Sequence, residues 1–287
     1  MSAGRGRVAV TGAGGRLGQA LLAAAAVPTV GWDLPEHDLD RPDSVEPLLD
    51  RDAPDVVIHT AAMTAVDECA RDPDTAMRRN GAATGVLAAA CRARVVGLLV
   101  VSTNEVFDGG RTDGLGYRED DEPGPRNPYG ASKFAGEEAA RAAFGETAGL
   151  WIARTAWLYG PPGNDFPDKI VAAADRLPED ASLPVVADEH GSPTSTADLA
   201  VAILELLEKT EGGTFHLVNA GMASRLGWAE LVLSIRRPGR ALRPISRAEF
   251  DRPSDPPPWG VLDTSRAAAA GIRLRSWEDA LRAHLEA

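Results

Sequence analysis

Cysteine is scarce. The 287-residue chain has two, Cys69 and Cys91. Neither belongs to a CxxC or a Cys/His cluster, so the sequence offers no disulfide framework and no metal-ligand spacing. Positive charge is also in short supply. Thirty Lys and Arg face 42 Asp and Glu, for a net charge of -12 at pH 7. That removes the basic footprint nucleic-acid binding requires. An anionic ligand would have to be held locally, by backbone N–H groups or a few arginines. No apolar run approaches the roughly 20 residues that span a bilayer. The stretch "MSAGRGRVAVTGAGG" lacks the apolar core of a signal peptide, and there is no internal repeat. The expectation is a soluble cytoplasmic protein with no nucleic-acid partner, no membrane partner and no metal. At 44% apolar, the chain has enough material for a sizeable core.

What is present is an alternation. "RVAVT" is a short β-branched run, and "RLGQALLAAAA" reads as a helix. "PTVGWD" is a second strand, "SVEPLLDRD" is helix-like and "DVVIHTAA" is a third strand. An Ala- and Arg-rich helical segment runs from Asp74 to Arg94. "VVGLLVVST" is apolar almost throughout, as in a strand buried on both faces. "PYGASKFAGEEAARAAF" starts a helix with Pro128, and "LWIARTAWLYG" is a fifth strand. Strand–helix alternation predicts an α/β protein with a Rossmann-type doubly wound parallel sheet. After Gly160 the rhythm changes, and Pro-rich loops such as "PPGNDFPDK" and "RPSDPPPWG" appear. A smaller C-terminal α/β substrate-binding lobe is expected. The dinucleotide-binding domain takes residues 1–160 plus about 192–219, and the lobe takes about 161–191 plus 220–287.

"TGAGGRLGQ" places Gly12, Gly15 and Gly18 between the first strand and the first helix. Glycines there permit a tight turn, close approach of backbone to a pyrophosphate, and close helix–strand packing. The helix N-terminus then faces the phosphates. The GxxGxxG spacing points to the short-chain dehydrogenase/reductase version of the fold. Asp33 ends the second strand, where a carboxylate hydrogen-bonds the adenosine ribose and repels a 2′-phosphate. Arg16, inside the loop, would attract one. The choice between NADH and NADPH stays open.

"YGASK" sets Tyr129 and Lys133 four residues apart, on one helix face. A free tyrosine has a pKa near ~10, and a neighbouring ammonium favours its phenolate. In an open parallel sheet, ligands bind beyond the carboxyl ends of the strands. Thr103 ends the fourth strand and Tyr129 begins the next helix, so both reach the same substrate oxygen. That gives "STNEVFDGG" its place at the candidate site.

The chain resembles the dTDP-4-dehydrorhamnose reductases, extended short-chain dehydrogenases of deoxysugar biosynthesis that reduce the 4-keto group of a dTDP-6-deoxy-L-sugar. The resemblance rests on "GAGGRLGQ", "DVVIHTAAMTAVDECA", "STNEVFDG", "NPYGASKFAGE", "RTAWLYGPPGNDF", "VVADEHGSPTSTADLA", "GTFHLVNAG" and "LDTSR". It implies that Tyr129 is the proton donor, Lys133 its partner and ribose ligand, and Thr103 the residue tuning its pKa. Gly15, Arg16 and Leu17 would line the pyrophosphate, and Asp33, Asp38 and Leu39 would lie near the adenosine. Ala62, Met63 and Thr64 would face the cofactor, NADPH or NADH. Asn104, Glu105 and Trp157 would contact or shape the sugar. The family includes dimers, so a homodimer is an expectation.

Three departures stand out. The family usually has "STDYVF" where this chain has Asn104 and Glu105. It has an aromatic or His at the position of Met63, and an Arg-Pro where Pro256 and Pro257 stand. The catalytic trio is intact, so the resemblance implies reduction of a dTDP-4-keto-6-deoxy-L-hexose. The alternative sugars are those leading to dTDP-dihydrostreptose or dTDP-6-deoxytalose. A sugar-nucleotide 4,6-dehydratase carries Thr-Asp-Glu here. Glu105 matches it, but Asn104 lacks the acid. A non-catalytic NAD(P)-binding subunit would typically have lost Tyr129 or Lys133.

Overall fold

The computed structural model describes residues 6–286; the first five residues of the N-terminal stretch and Ala287 lie outside that range. Its centre is a six-stranded sheet. The strands are β1 (Val8–Thr11), β2 (Thr29–Trp32), β3 (Val56–His59), β4 (Gly97–Thr103), β5 (Leu150–Thr155) and an outer strand, Gly213–His216. The order is Gly213–His216, β5, β4, β3, β1, β2, and every pairing is parallel.

Side chains alternate across a strand, and here both faces are apolar. Val8, Val10, Val56, Ile58, Leu99 and Val101 point one way. They meet Leu17 and Leu21 of the Arg16–Ala24 helix and Leu199, Ile203 and Leu206 of the Thr196–Lys209 helix. Ala9, Val57, Leu98 and Val100 point the other way, onto Leu48 and Leu49 of Val45–Asp52, Leu87 and Cys91 of Ala83–Ala93, and Phe144 of Pro128–Phe144. A parallel sheet covered on both faces explains the near-continuous apolar strands. From β1 the chain runs outward to β2, then crosses back to build β3, β4 and β5 on the other side. The strand order therefore reverses between β1 and β3, where such sheets open a ligand crevice.

The fifth strand stops earlier than its sequence suggests. Trp157 has φ 46, a left-handed conformation that is rare for a bulky residue. The chain bends there and resumes as Leu158–Tyr159, paired with Thr194–Ser195. Beyond it, Leu183–Val186 pairs with Leu242–Ile245 and His190–Gly191 with Ala223–Ser224. Helices Phe166–Asp175, Arg225–Arg236 and Trp277–Glu286 pack with them around Tyr159, Trp228 and Trp277. The Ala-rich segment is helical from Pro73 to Ala93, but Met77–Ala82 is a π-turn, a local widening often found at functional sites. Among the described residues, no helix is long and apolar enough to cross a membrane.

Candidate active site

The glycine loop has the shape its spacing predicts. Gly12 takes φ +64, and the Gly15 N–H donates to its carbonyl at 2.9 Å. A Cβ on Gly18 would run into the Gly12 carbonyl and Ala13 Cα. The helix can therefore pack on its own entry loop only with glycine there. Asp33 stands at the loop's mouth, accepting from Gly14 N–H at 2.5 Å and Leu34 N–H at 2.9 Å. Asp38 accepts from Asp40 N–H and Arg41 Nε in the turn that follows, with Leu39 half-buried beside it. Arg16 does more than line the loop. Its guanidinium crosses to the carbonyls of Pro162 (3.1 Å) and Gly163 (3.0 Å), tying the glycine loop to the segment after Tyr159.

Ala62, Met63 and Thr64 follow β3 on the same edge of the sheet, held by a residue the sequence reading missed. Asn80, 1% exposed, accepts from Met63 N–H at 2.8 Å and donates to Met63 carbonyl at 2.9 Å. Its amide also reaches Ser132 Oγ at 3.0 Å, and Ser132 donates to the carbonyl of Tyr129 at 2.8 Å. One amide thus joins the loop after β3 to the helix of Tyr129, and the π-turn carries it. The signal in the sequence was a lone amide inside an Ala-rich helix, "RRNGAATG". His59 lies between Thr11 Oγ1 (2.8 Å) and Thr84 Oγ1 (3.1 Å). Burial, then the Lys133 charge, hold its pKa well below the usual value, so it is a neutral structural group.

Tyr129 is the second residue of helix Pro128–Phe144. Asn127 caps that helix by accepting from Gly130 N–H at 2.8 Å. Thr103, 5% exposed, ends β4 beside it. Burial pushes the Tyr129 phenol above its usual pKa, the negative charge of Glu105 adds to that, and the Thr103 hydroxyl draws it down through a hydrogen bond. Lys133, 4% exposed, has no side-chain hydrogen bond among the described residues. Burial lowers its ammonium to about 8, opposed by Glu137. The Thr103 hydrogen bond lowers the Tyr129 pKa, and the Lys133 charge is felt at His59.

Asn104 and Glu105 have separate fates. Asn104 is 3% exposed. It donates to the Gly260 carbonyl at 3.0 Å and accepts from Thr103 Oγ1 at 3.3 Å, so it ties the strand end to a late loop. Glu105 is half-buried. Its carboxyl accepts from Asn127 Nδ2 at 2.6 Å, and burial pushes it to about 7, with Asn127 opposing and Glu189 adding to the rise. Trp157 lies under the Arg225 guanidinium, 3.6 Å from the ring centroid, and parallel to Trp228. Arg225 also holds Glu189 at 2.8 Å. A cavity of about 480 Å³ opens alongside, lined by Val186, Glu189, Arg247, Phe250, Arg252 and Ser254 among others. Glu189 and Arg252 also act on Glu105, which places the cavity next to the strand end.

A glycine-rich turn at the sheet's reversal point, together with a hydroxyl pair and a buried lysine after the fourth strand, marks an NAD(P)-dependent oxidoreductase of the short-chain dehydrogenase/reductase class. The comparisons sharpen this. The model of the RmlD substrate binding domain matches residues 6–287. A dTDP-4-dehydrorhamnose reductase of Streptomyces griseus is 40% identical over 293 residues, covering 96% of this chain and 92% of that protein. One from Mycolicibacterium smegmatis is 38% identical, covering 96% of this chain and 84% of the other. The crystal structure of the Bacillus anthracis dTDP-4-dehydrorhamnose reductase in complex with NADP superposes with TM-score 0.91 at 31% identity, covering 98% of this chain and 99% of that one. The chain belongs to the dTDP-4-dehydrorhamnose reductase family, and is an NAD(P)-dependent reductase of a dTDP-4-keto deoxysugar.

Proposed function

We propose that the substrate is a dTDP-4-keto-6-deoxy-L-hexose of the dehydrorhamnose type, and that Tyr129 supplies the proton as its C4 carbonyl is reduced. The observation that carries this is the convergence of Thr103 and Tyr129 at the end of β4, one helical turn from Lys133. A bound nicotinamide supplies hydride to C4. Tyr129 then gives its proton to the carbonyl oxygen, and Thr103 holds that oxygen and the phenol in one hydrogen-bonded group. The Lys133 ammonium, which has no side-chain hydrogen bond among the described residues, is available to ribose hydroxyls and to the phenolate left behind. Gly12, Gly15 and Gly18 would hold the pyrophosphate, and Asp33 the adenosine ribose. Its carboxylate, already on Gly14 N–H, favours NADH over NADPH. Arg16 is engaged by Pro162 and Gly163 and is less free to answer a 2′-phosphate.

Trp157, Glu105 and the adjoining cavity would take the sugar nucleotide, with Arg247 and Arg252 offering charge to its diphosphate. The change from the family's Asp-Tyr to Asn104-Glu105 alters the sugar's surroundings and leaves the acid in place. The same substitution argues against dehydration, because Asn104 carries no acid and is bound to Gly260. The test supplies dTDP-4-keto-6-deoxyglucose, a 3,5-epimerase, this protein, and NADH or NADPH in parallel. The product sugar is identified by NMR. Reduction at C4 is expected, and failure to oxidise either cofactor would refute the proposal. An axial or equatorial product hydroxyl separates rhamnose from its 4-epimer.

A further inference from the structure

The reaction as derived gives the Glu105 carboxyl at the strand end a place beside the sugar but no part in the proton transfer. Its backbone fixes it closely. The Glu105 N–H donates to Thr103 Oγ1 at 3.2 Å, and its carbonyl lies against Gly130, where any Cβ would collide. Its carboxyl accepts from Asn127, the residue that caps the helix of Tyr129 and also reaches the Asp255 carbonyl at 3.3 Å. Glu105 is therefore bound to Thr103 through its backbone and, through its carboxyl, to the residue that caps the helix of Tyr129.

The charged and titratable groups that act on it come from every element around it. Tyr129 comes from the catalytic helix and Cys69 from helix Val66–Arg71. Glu189, Arg225 and Arg252 come from the late segments. Each arginine has another carboxylate: Arg225 holds Glu189 at 2.8 Å and Arg252 holds Asp67 at 3.0 Å. Among the described residues, Glu105 has no cation of its own and faces the carboxylate of Glu189.

We propose that Glu105 is a positioning acid for the reduction: protonated, it leaves Tyr129 free to release its proton and donates a hydrogen bond to a sugar oxygen beside C4; ionised, it holds Tyr129 back. The inference rests on the reductase reading above. The sign follows from charge. When Tyr129 protonates the substrate it becomes an anion, and a neighbouring carboxylate makes that anion more costly. A neutral carboxyl does not. Burial brings the Glu105 carboxyl to about 7, so its neutral form dominates on the acid side of that value and is lost above it.

The experiment measures kcat/KM for C4 reduction from pH 6 to pH 7.5, where Lys133, lowered to about 8, keeps roughly three-quarters or more of its charge. With a carboxyl titrating near 7, the neutral fraction falls roughly fourfold across this window, and the wild-type rate is expected to fall with it. Glu105→Gln stays neutral at every pH, so its rate should change by less than about twofold across the window. Glu105→Leu should also lack the limb but raise KM, because it cannot donate to the sugar. Thermal melts of each variant monitor folding, which a merely structural role would disturb without touching the pH profile. The same falling limb in wild type and in Glu105→Gln overturns the inference while the reductase reading stands. Absence of C4 reduction in wild type at any pH overturns the reading beneath it. Dehydration of dTDP-glucose by wild type, lost in Glu105→Gln, overturns both.

Discussion

The helix of Tyr129 and Lys133 is anchored by a buried ion pair whose removal has a calculable effect. Glu137, fully buried, accepts from Arg154 Nη2 at 2.7 Å and Nε at 2.9 Å. It also accepts from Arg141 at 3.0 Å and from Ser102 Oγ at 2.5 Å. Arg154 is 2% exposed and sits on β5, so this pair clamps the helix of Tyr129 and Lys133 to the sheet. Glu137→Ala strands the arginine's charge in the interior. Losing one partner of such a pair costs about 3–5 kcal/mol. At roughly 2 °C per kcal/mol for a chain of this size, the melting temperature should drop about 6–10 °C. Replacing both partners together, Glu137→Met with Arg154→Met, removes the stranded charge and should recover most of that loss. Scanning calorimetry on Glu137→Met, Arg154→Met and the double completes a thermodynamic cycle. A fall of under about 2 °C in Glu137→Ala, set against the 6–10 °C expected, would refute the reasoning. So would a double variant less stable than either single, because the pair would then not be the clamp.

Tyr129→Phe should lower kcat by about 10²–10⁴-fold, the usual weight of general acid catalysis, while fluorescence titration still shows cofactor binding. Wild-type turnover in that variant would remove the assignment. Asp33→Ala should raise kcat/KM with NADPH relative to NADH, measured side by side; an unchanged ratio would mean that the carboxylate does not face the 2′ position. Burial lowers Lys133 to about 8, so its charge is complete well below that value and lost above it. A decline in kcat/KM as pH rises past 8 is expected in both wild type and Glu105→Gln. Thr103→Val should slow every accepted sugar alike, seen as parallel losses in kcat/KM across a substrate panel.

Much of the fold was legible because its signals are local. "RVAVT", "DVVIHTAA" and "VVGLLVVST" are apolar on both faces, which only a doubly covered parallel strand requires. Gly12 and Gly18 sit where a positive φ and a close helix contact leave no room for another residue. The break at Trp157 was not legible, because its φ of 46 is imposed by what it packs against: Arg225 and Trp228, far along the chain. The site divides along the same line. Tyr129 and Lys133 lie one helical turn apart on a single element, so spacing alone sets them on one face. Asn80 acts through backbone groups of Met63 and through Ser132, 52 residues away. No spacing rule encodes that.

Asn104 and Glu105 show why neighbours in sequence need not share a role. They follow one another off β4, yet the 3₁₀ turn Asn104–Val106 sends one amide to Gly260 and one carboxyl to Asn127. Sequence gives the residue types, and a dehydratase-like Asn-Glu pair was one reading of them. The fold gives each polar group its own partner. Glu105 is half-buried near Tyr129 with Asn127 on its carboxyl, so a carboxyl at this strand end is what sets this chain apart from the "STDYVF" pattern.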